Sequence, residues 1–203
     1  MREPLPEICP DVAAGDLVIT ELHGEVGSDP KWIEITNRSA QTVDLFGLHV
    51  IIKNLSGTEG VEGIVRYSPP PLAPGGYFVL GIVPDVNLPD IVDYGLQGNH
   101  VNEADVPTAE SESGTDAVKQ ENDNDPVVKM PDAGIITLEA CDVMLDKVVY
   151  FELPEVGTRS FGGTPDADAN DDENAWCTDD VVLEMMTGLG ARGTPGEANR
   201  PCE

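Results

Sequence analysis

Apolar residues in this chain come in runs of about five to ten, cut by Pro, Gly, Asn and Asp, and helical periodicity is hard to find. A strand needs no more than that length, and its side chains alternate between two faces, so a chain punctuated this way builds sheets. The run DLVITELH at 16–23 sets Leu17, Ile19 and Glu21 against Val18, Thr20 and Leu22, which leaves both faces partly covered. KWIEITN at 31–37 follows and stops at the turn Asn37-Arg38-Ser39. The run from Val43 to Leu55 carries Gly47 as a bend. A short strand over Ile64–Tyr67 ends at the prolines, and the tight turn Leu72–Gly76 feeds YFVLGIV, expected as a central strand. Gly134–Ala140 and Val143–Phe151, joined by Cys141-Asp142, read as a hairpin. Gly157–Phe161 and Ala175–Cys177 give two more short strands, and Val181–Met186 fits a strand or a helical turn equally. Six to nine short strands with turn residues between them predict an all-β fold, an antiparallel β-sandwich. The 203 residues suffice for one large domain or two small ones.

Strand patterning disappears between about 99 and 132. There Glu103, Asp105, Glu110, Glu112, Asp116, Glu121, Asp123, Asp125 and Asp132 face only Lys119 and Lys129. Such a segment buries too little apolar surface to offset its ordering entropy, and a long acidic surface insertion is expected. The whole chain sets 38 Asp and Glu against 11 Lys and Arg, a formal charge of −27. Nucleic acid and anionic lipid both need cationic groups on their partner, so neither is an expected ligand. The charge suits divalent cations, basic partners or a saline medium. Apolar runs such as Val181–Leu183 are far too short for a bilayer, so no membrane insertion is expected. Met1-Arg2-Glu3-Pro4 is not a secretory signal, so either a mature form with an added Met1 or a chain not secreted by that route is expected, the first being favoured.

Four cysteines, Cys9, Cys141, Cys177 and Cys202, are widely spaced, with no CxxC pair and no histidine nearby in sequence. An even count without metal-ligand spacing fits two disulfides and an oxidising, extracellular or cell-surface setting; four buried thiols in a cytosolic chain are the alternative.

The segments GDLVITELHG, KWIEITNRSAQTVDLFGLHV and LAPGGYFVLG occur in that order. They are followed by ITLEACDVMLDKVVY, GTRSFGGTPDADANDDENAWC and GARGTPGEANRPC. Together they resemble the lamin-tail domain family, from about Gly15 to Cys202. The resemblance implies an immunoglobulin-like β-sandwich over residues 15–203, interrupted by the acidic insertion and preceded by an N-terminal extension, 1–14. The cysteine-bearing form, with WC and GTPG-x-x-N-x-x-C, is similar to bacterial members that are exported or displayed on cell surfaces. It implies a non-catalytic extracellular module for attachment or assembly, with a protein, a cell-surface polymer or another copy of itself as partner. Three disulfide connectivities are open. Cys177 and Cys202 both fall in the closing motif region, which favours that pair and leaves Cys9 with Cys141. The motif residues also have plain folding roles: Asn37 ends a strand by bonding nearby backbone, Gly193-Thr194-Pro195-Gly196 turns the chain, and Asn199 ties the tail.

Chemistry is best sought in PDADANDDENAW at 165–176. Asp166, Asp168, Asn170 and Asp172 stand at two-residue intervals, where oxygen ligands can converge on calcium. An EF-hand fails, because its sixth and twelfth positions hold Asp171 and Cys177. No basic residue lies between Arg159 and Arg192. Calcium-dependent binding of a carbohydrate or protein partner is therefore the alternative function, weighed against a simply solvated acidic loop. Glu121–Asp125 forms a second acidic stretch. The sequence has no GxSxG elbow, no HExxH and no phosphate-cradling loop. His23 and His49 lie on expected strands, and His100 borders the insertion. No catalytic residue and no organic cofactor is expected.

Overall fold

Every second residue of GIITLEA at 134–140 is buried, the signature of a strand resting one face on a core. The computed structural model describes residues 9–24, 30–57, 60–66, 69–84, 88–97, 130–182 and 192–202. Among them are ten strands. These are β1 (Leu17–His23), β2 (Trp32–Asn37), β3 (Leu48–Asn54), β4 (Gly60–Ile64) and β5 (Tyr77–Pro84). The second half adds β6 (Tyr94–Gln97), β7 (Gly134–Ala140), β8 (Val143–Tyr150), β9 (Thr158–Phe161) and β10 (Trp176–Asp179). The only helical turns among the described residues are two 3-10 pieces, Ala169–Asp171 and Glu173–Ala175, and no helix there is long and apolar enough to cross a membrane.

The strands form two sheets, in the orders β10-β9-β1-β2-β5-β6 and β4-β3-β7-β8. Their inner faces meet in one core, built from Leu17, Ile19, Leu22, Ile33 and Ile35 on one side and Val50, Ile52, Ile136, Leu138 and Val148 on the other. The molecule is an all-β sandwich. Each fully buried aliphatic side chain of this set contributes roughly 1.5–3 kcal/mol, so the shared interior carries the fold.

Several local details depart from the pattern read in the sequence. Gly47, at φ +86°, closes a turn in which the Leu48 N–H donates to the Leu45 carbonyl, and this splits the long run into a bridge at Val43 and strand β3. The short strand expected at Ile64–Tyr67 lies earlier, as β4. Strand β6, YGLQ, was too short and too glycine-interrupted to read as a strand. It pairs parallel to β5, the one exception to antiparallel pairing among the described strands. Ahead of β6, Val92 packs so closely over Gly81 of β5 that a side chain at that glycine would collide with it.

Residues 9–14, expected as an extension, are fastened at their start, where Cys9 is bonded to Cys141, and just past their end, where the Gly15 N–H donates to the Leu145 carbonyl at 2.8 Å. Most of the expected insertion, with Glu121–Asp125 and His100, lies outside the described residues, as does most of Val181–Met186. The end of that insertion is not surface: Met130 is buried in the core, and its carbonyl accepts from the Lys31 ammonium at 2.7 Å.

Both disulfides take the connectivity favoured by the closing motif, Cys9–Cys141 and Cys177–Cys202, with Cα separations of 5.8 and 5.7 Å. Cys141 occupies the left-handed region, φ 50°, in the two-residue turn between β7 and β8. The bridges span 132 and 25 residues of sequence, so loop-closure entropy assigns them roughly 5 and 3.5 kcal/mol. Replacing Cys9 and Cys141 by Ser should lower the urea midpoint more than the same change at Cys177 and Cys202. Equal or reversed losses in equilibrium unfolding would contradict the chain-entropy account.

Candidate functional site

A bulge in β1 decides what lies on the outer side of the large sheet. Leu17 and Ile19 face the core, and unbroken alternation would send Glu21 in after them. The ladder with β2 instead shifts between Ile19 and Glu21, so Leu22 takes the next core position and Glu21 turns outward. There it stands directly across from Glu34 of β2. Both carboxyls are fully buried, 0% exposed, among apolar strands.

Hydroxyls and backbone amides satisfy the pair. Thr158 and Ser160 of β9 donate to Glu21 Oε1, Ser160 at 2.7 Å, and the Thr194 N–H adds a bond of 3.2 Å. Glu34 accepts the Thr20 hydroxyl on Oε1 and the Gly196 N–H on Oε2, each at 2.7 Å. Among the described residues neither carboxyl has an ion pair; Arg200 is committed to the adjacent Asp179, with two bonds of 2.7 Å. Burial, and after it the charge of Glu21, pushes the Glu34 carboxyl up to about 9. Burial also raises Glu21, against the lowering effect of Ser160, Thr158 and Thr194. Glu34 therefore holds its proton at neutral pH, because an unpaired buried carboxylate costs more than a neutral acid.

The lid on this pair is the C-terminal strap, residues 192–202. Its turn is Thr194–Glu197, with the Glu197 N–H on the Thr194 carbonyl, Pro195 in the second place and Gly196 at φ +83° in the third. Gly193, at φ +87°, lies so close to Glu21 and Thr158 that a side chain there would collide with both. The Asn199 amide donates to the carbonyls of Thr20, at 2.6 Å, and Phe161, at 3.2 Å, and its oxygen accepts the Thr194 hydroxyl. The strap thus covers a sheet face that would otherwise be wet, and the Cys177–Cys202 bridge pins its end.

The acidic loop meets β1 at Ile19. Asp166 and Asp168 line a groove of about 520 Å³ together with Asp16, Asp146, Asp171 and Lys147. The other two expected oxygen donors are engaged elsewhere. Asn170 is buried and donates its amide to the Ile19 carbonyl, at 3.0 Å, and to Asp146 Oδ2, at 2.8 Å. Asp172 caps the second 3-10 turn by accepting from the Asn174 N–H at 3.0 Å. Asp146 Oδ2 also accepts the Ile19 N–H at 2.7 Å, so Asp146 and Asn170 together satisfy the Ile19 backbone, which the β9 ladder does not reach. Burial raises the Asp146 carboxyl, against its bonds to Ile19, Asn170 and Lys147. Asp166 Oδ1 accepts from the N–H groups of Asp168 and Ala169. Among the described residues no three His, Cys, Asp or Glu side chains gather closely enough to hold a metal ion as they stand.

The remaining motif residues take packing roles. His23 stacks on Trp32 with ring centres 5.3 Å apart, over a second apolar cluster of Val79, Ile91 and Val92. His49 contacts Glu62 across β3 and β4. Trp176 is buried, with its Nε1–H on the Asn170 carbonyl at 2.7 Å, and Arg159 lies over its ring. The Glu21–Glu34 pair was not singled out in the sequence, although each stands alone in the middle of an apolar strand run, TELH and IEIT. Comparison with protein-family models, with curated proteins and with solved structures returns no match to this chain, so the lamin-tail resemblance rests on the motifs quoted above.

The raised carboxyls tie stability to pH. Glu34 binds its proton more tightly folded, near 9, than unfolded, near 4.5, so its contribution is complete below the lower value and is lost as pH rises toward the upper one. Each such proton adds a slope of at most about 1.4 kcal/mol per pH unit within that window. Thermal melts from pH 5 to pH 9 should show a falling midpoint, and Glu34→Gln should flatten the curve and gain most over wild type near pH 9. Wild-type and variant curves running parallel would remove Glu34 as the source.

Proposed function

We propose that this chain is a non-catalytic extracellular module of the lamin-tail type, an immunoglobulin-like sandwich for attachment or assembly at a cell surface. The observation that carries this reading is the fastening of both ends of the described chain. Cys9 is bonded to the β7–β8 turn and Cys202 to β10, while the strap is locked onto the sheet by Thr194, Gly196, Asn199 and Arg200. A tether linking other segments needs ends that do not peel, and covalent bridges persist where the medium is oxidising. Two packed sheets around one core agree with the immunoglobulin-like class. The formal charge of −27 favours a basic or cation-bridged surface polymer as partner. Isolated cell envelopes from the source organism should bind the purified chain saturably, without turnover of glycoside, ester or phosphodiester substrates. Turnover of any of these, or binding that never saturates, would overturn the reading.

The groove favours a second reading, calcium-dependent binding of a carbohydrate or protein partner. Five carboxylates, Asp16, Asp146, Asp166, Asp168 and Asp171, share it with a single ammonium, Lys147. Calcium has the flexible oxygen coordination to draw such groups together. Under this reading, millimolar calcium gives a calorimetric heat and raises the melting temperature, by about 2.7 kcal/mol of stability at a hundredfold excess over Kd. Asp168→Asn with Asp171→Asn should abolish both signals, and an unmoved melt in the parent protein would eliminate the metal.

A further inference from the structure

The chain carries two Asn-x-Ser triplets, Asn37-Arg38-Ser39 and Asn54-Leu55-Ser56. This is the acceptor sequence for N-linked oligosaccharides on exported proteins, and its weakness as a signal is that many copies are inaccessible. Here the structure separates the two. In both, the serine hydroxyl donates to the asparagine side-chain oxygen at 2.7 Å, which sets the triplet in a closed local loop. The surroundings differ. Asn37 is fully buried, and its amide donates to the carbonyls of Gln41 and Leu72, each at 2.8 Å. A sugar on that nitrogen would break a bond that holds the end of β2 and would have to occupy packed space. Asn54 closes β3 at the start of a reverse turn, with the Gly57 N–H on its carbonyl at 2.9 Å and Gly57 at φ +70°. It is only partly buried, and Leu55, Ser56 and Gly57 beyond it are exposed.

We propose that Asn54 is an N-glycan acceptor and that Asn37 is silent in the folded protein. In the transfer, Asn54 Nδ2 bonds to the anomeric carbon of a polyprenyl-pyrophosphate-linked oligosaccharide. The bond from that carbon to the pyrophosphate oxygen breaks, the lipid pyrophosphate leaves, and the amide proton passes to a base of the transferase. No oxidant or reductant is involved. The β3–β4 turn then projects a hydrated polymer beside the exposed Leu55 side chain.

The inference rests on the extracellular reading, and the experiment separates the two. The full chain is secreted from a host that carries lipid-linked oligosaccharide and its transferase. Intact mass is then read before and after peptide N-glycosidase, and before and after reduction. The expected result is one oligosaccharide mapped to Asn54, none at Asn37, and complete loss of the mass shift in Asn54→Gln and in Ser56→Ala. Unmodified Asn54, or a glycan on Asn37 in the folded secreted protein, overturns the inference whatever the thiol count. Four reduced cysteines in the same sample would overturn the extracellular reading instead, so the two failures are read from different masses.

Discussion

The extra residue in β1 lets one strand serve two chemically opposite surfaces. Up to Ile19 the alternation feeds the core; beyond the bulge Leu22 resumes that role and Glu21 is left facing outward. A regular strand would have placed a carboxyl between the two sheets, where nothing apolar could satisfy it. The ladder with β9 begins only at Glu21, so the backbone of Ile19 has no strand partner on that side, and Asp146 and Asn170 supply the missing acceptor and donor. Because Asp146 belongs to the smaller sheet, this repair also joins the sheets along one edge. Core register and the outer carboxyl pair both follow from that one shift, and the acidic loop seats on the Ile19 backbone just ahead of it.

Burying two facing carboxyls is tolerable here for a physical reason that needs no cation. Serine and threonine hydroxyls, together with two backbone N–H groups of the strap, meet their oxygens, and a proton retained by Glu34 removes most of the mutual repulsion. The strap, in turn, obtains its placement from those acceptors. Sheet face and strap are therefore interdependent: the face requires a cover, and the cover is shaped by a Pro-Gly turn whose amides match the acids beneath. The nearby Asp179 stays compatible with this arrangement because Arg200 Nη1 donates to both of its carboxylate oxygens.

The acidic loop shows how spacing and placement part company. Two-residue intervals suggested four oxygens turned to one point, but a 3-10 turn at Ala169–Asp171 rotates Asn170 into the interior while Asp166 and Asp168 remain at the groove. The groove is completed by Asp16 and Asp146, residues 150 and 20 positions upstream of Asp166. No local pattern could have grouped them, since only the approach of β8 to β1 makes them neighbours.

The all-β class, the hairpin at Cys141-Asp142 and the strand-ending role of Asn37 were legible in the chain itself, because each depends on near-neighbour sterics and on short-range hydrogen bonding; the tie made by Asn199 was legible only as a role, since its partners Thr20 and Phe161 are distant in sequence. Long-range choices were not. The parallel seating of β6, the burial of Met130 and the meeting of Glu21 with Glu34 beneath a strap 173 residues downstream of Glu21 exist only once the sheets have closed. Alternation tells a strand that it has two faces; it does not tell which neighbour will cover the second one, and here that cover is the chain's own C-terminal segment.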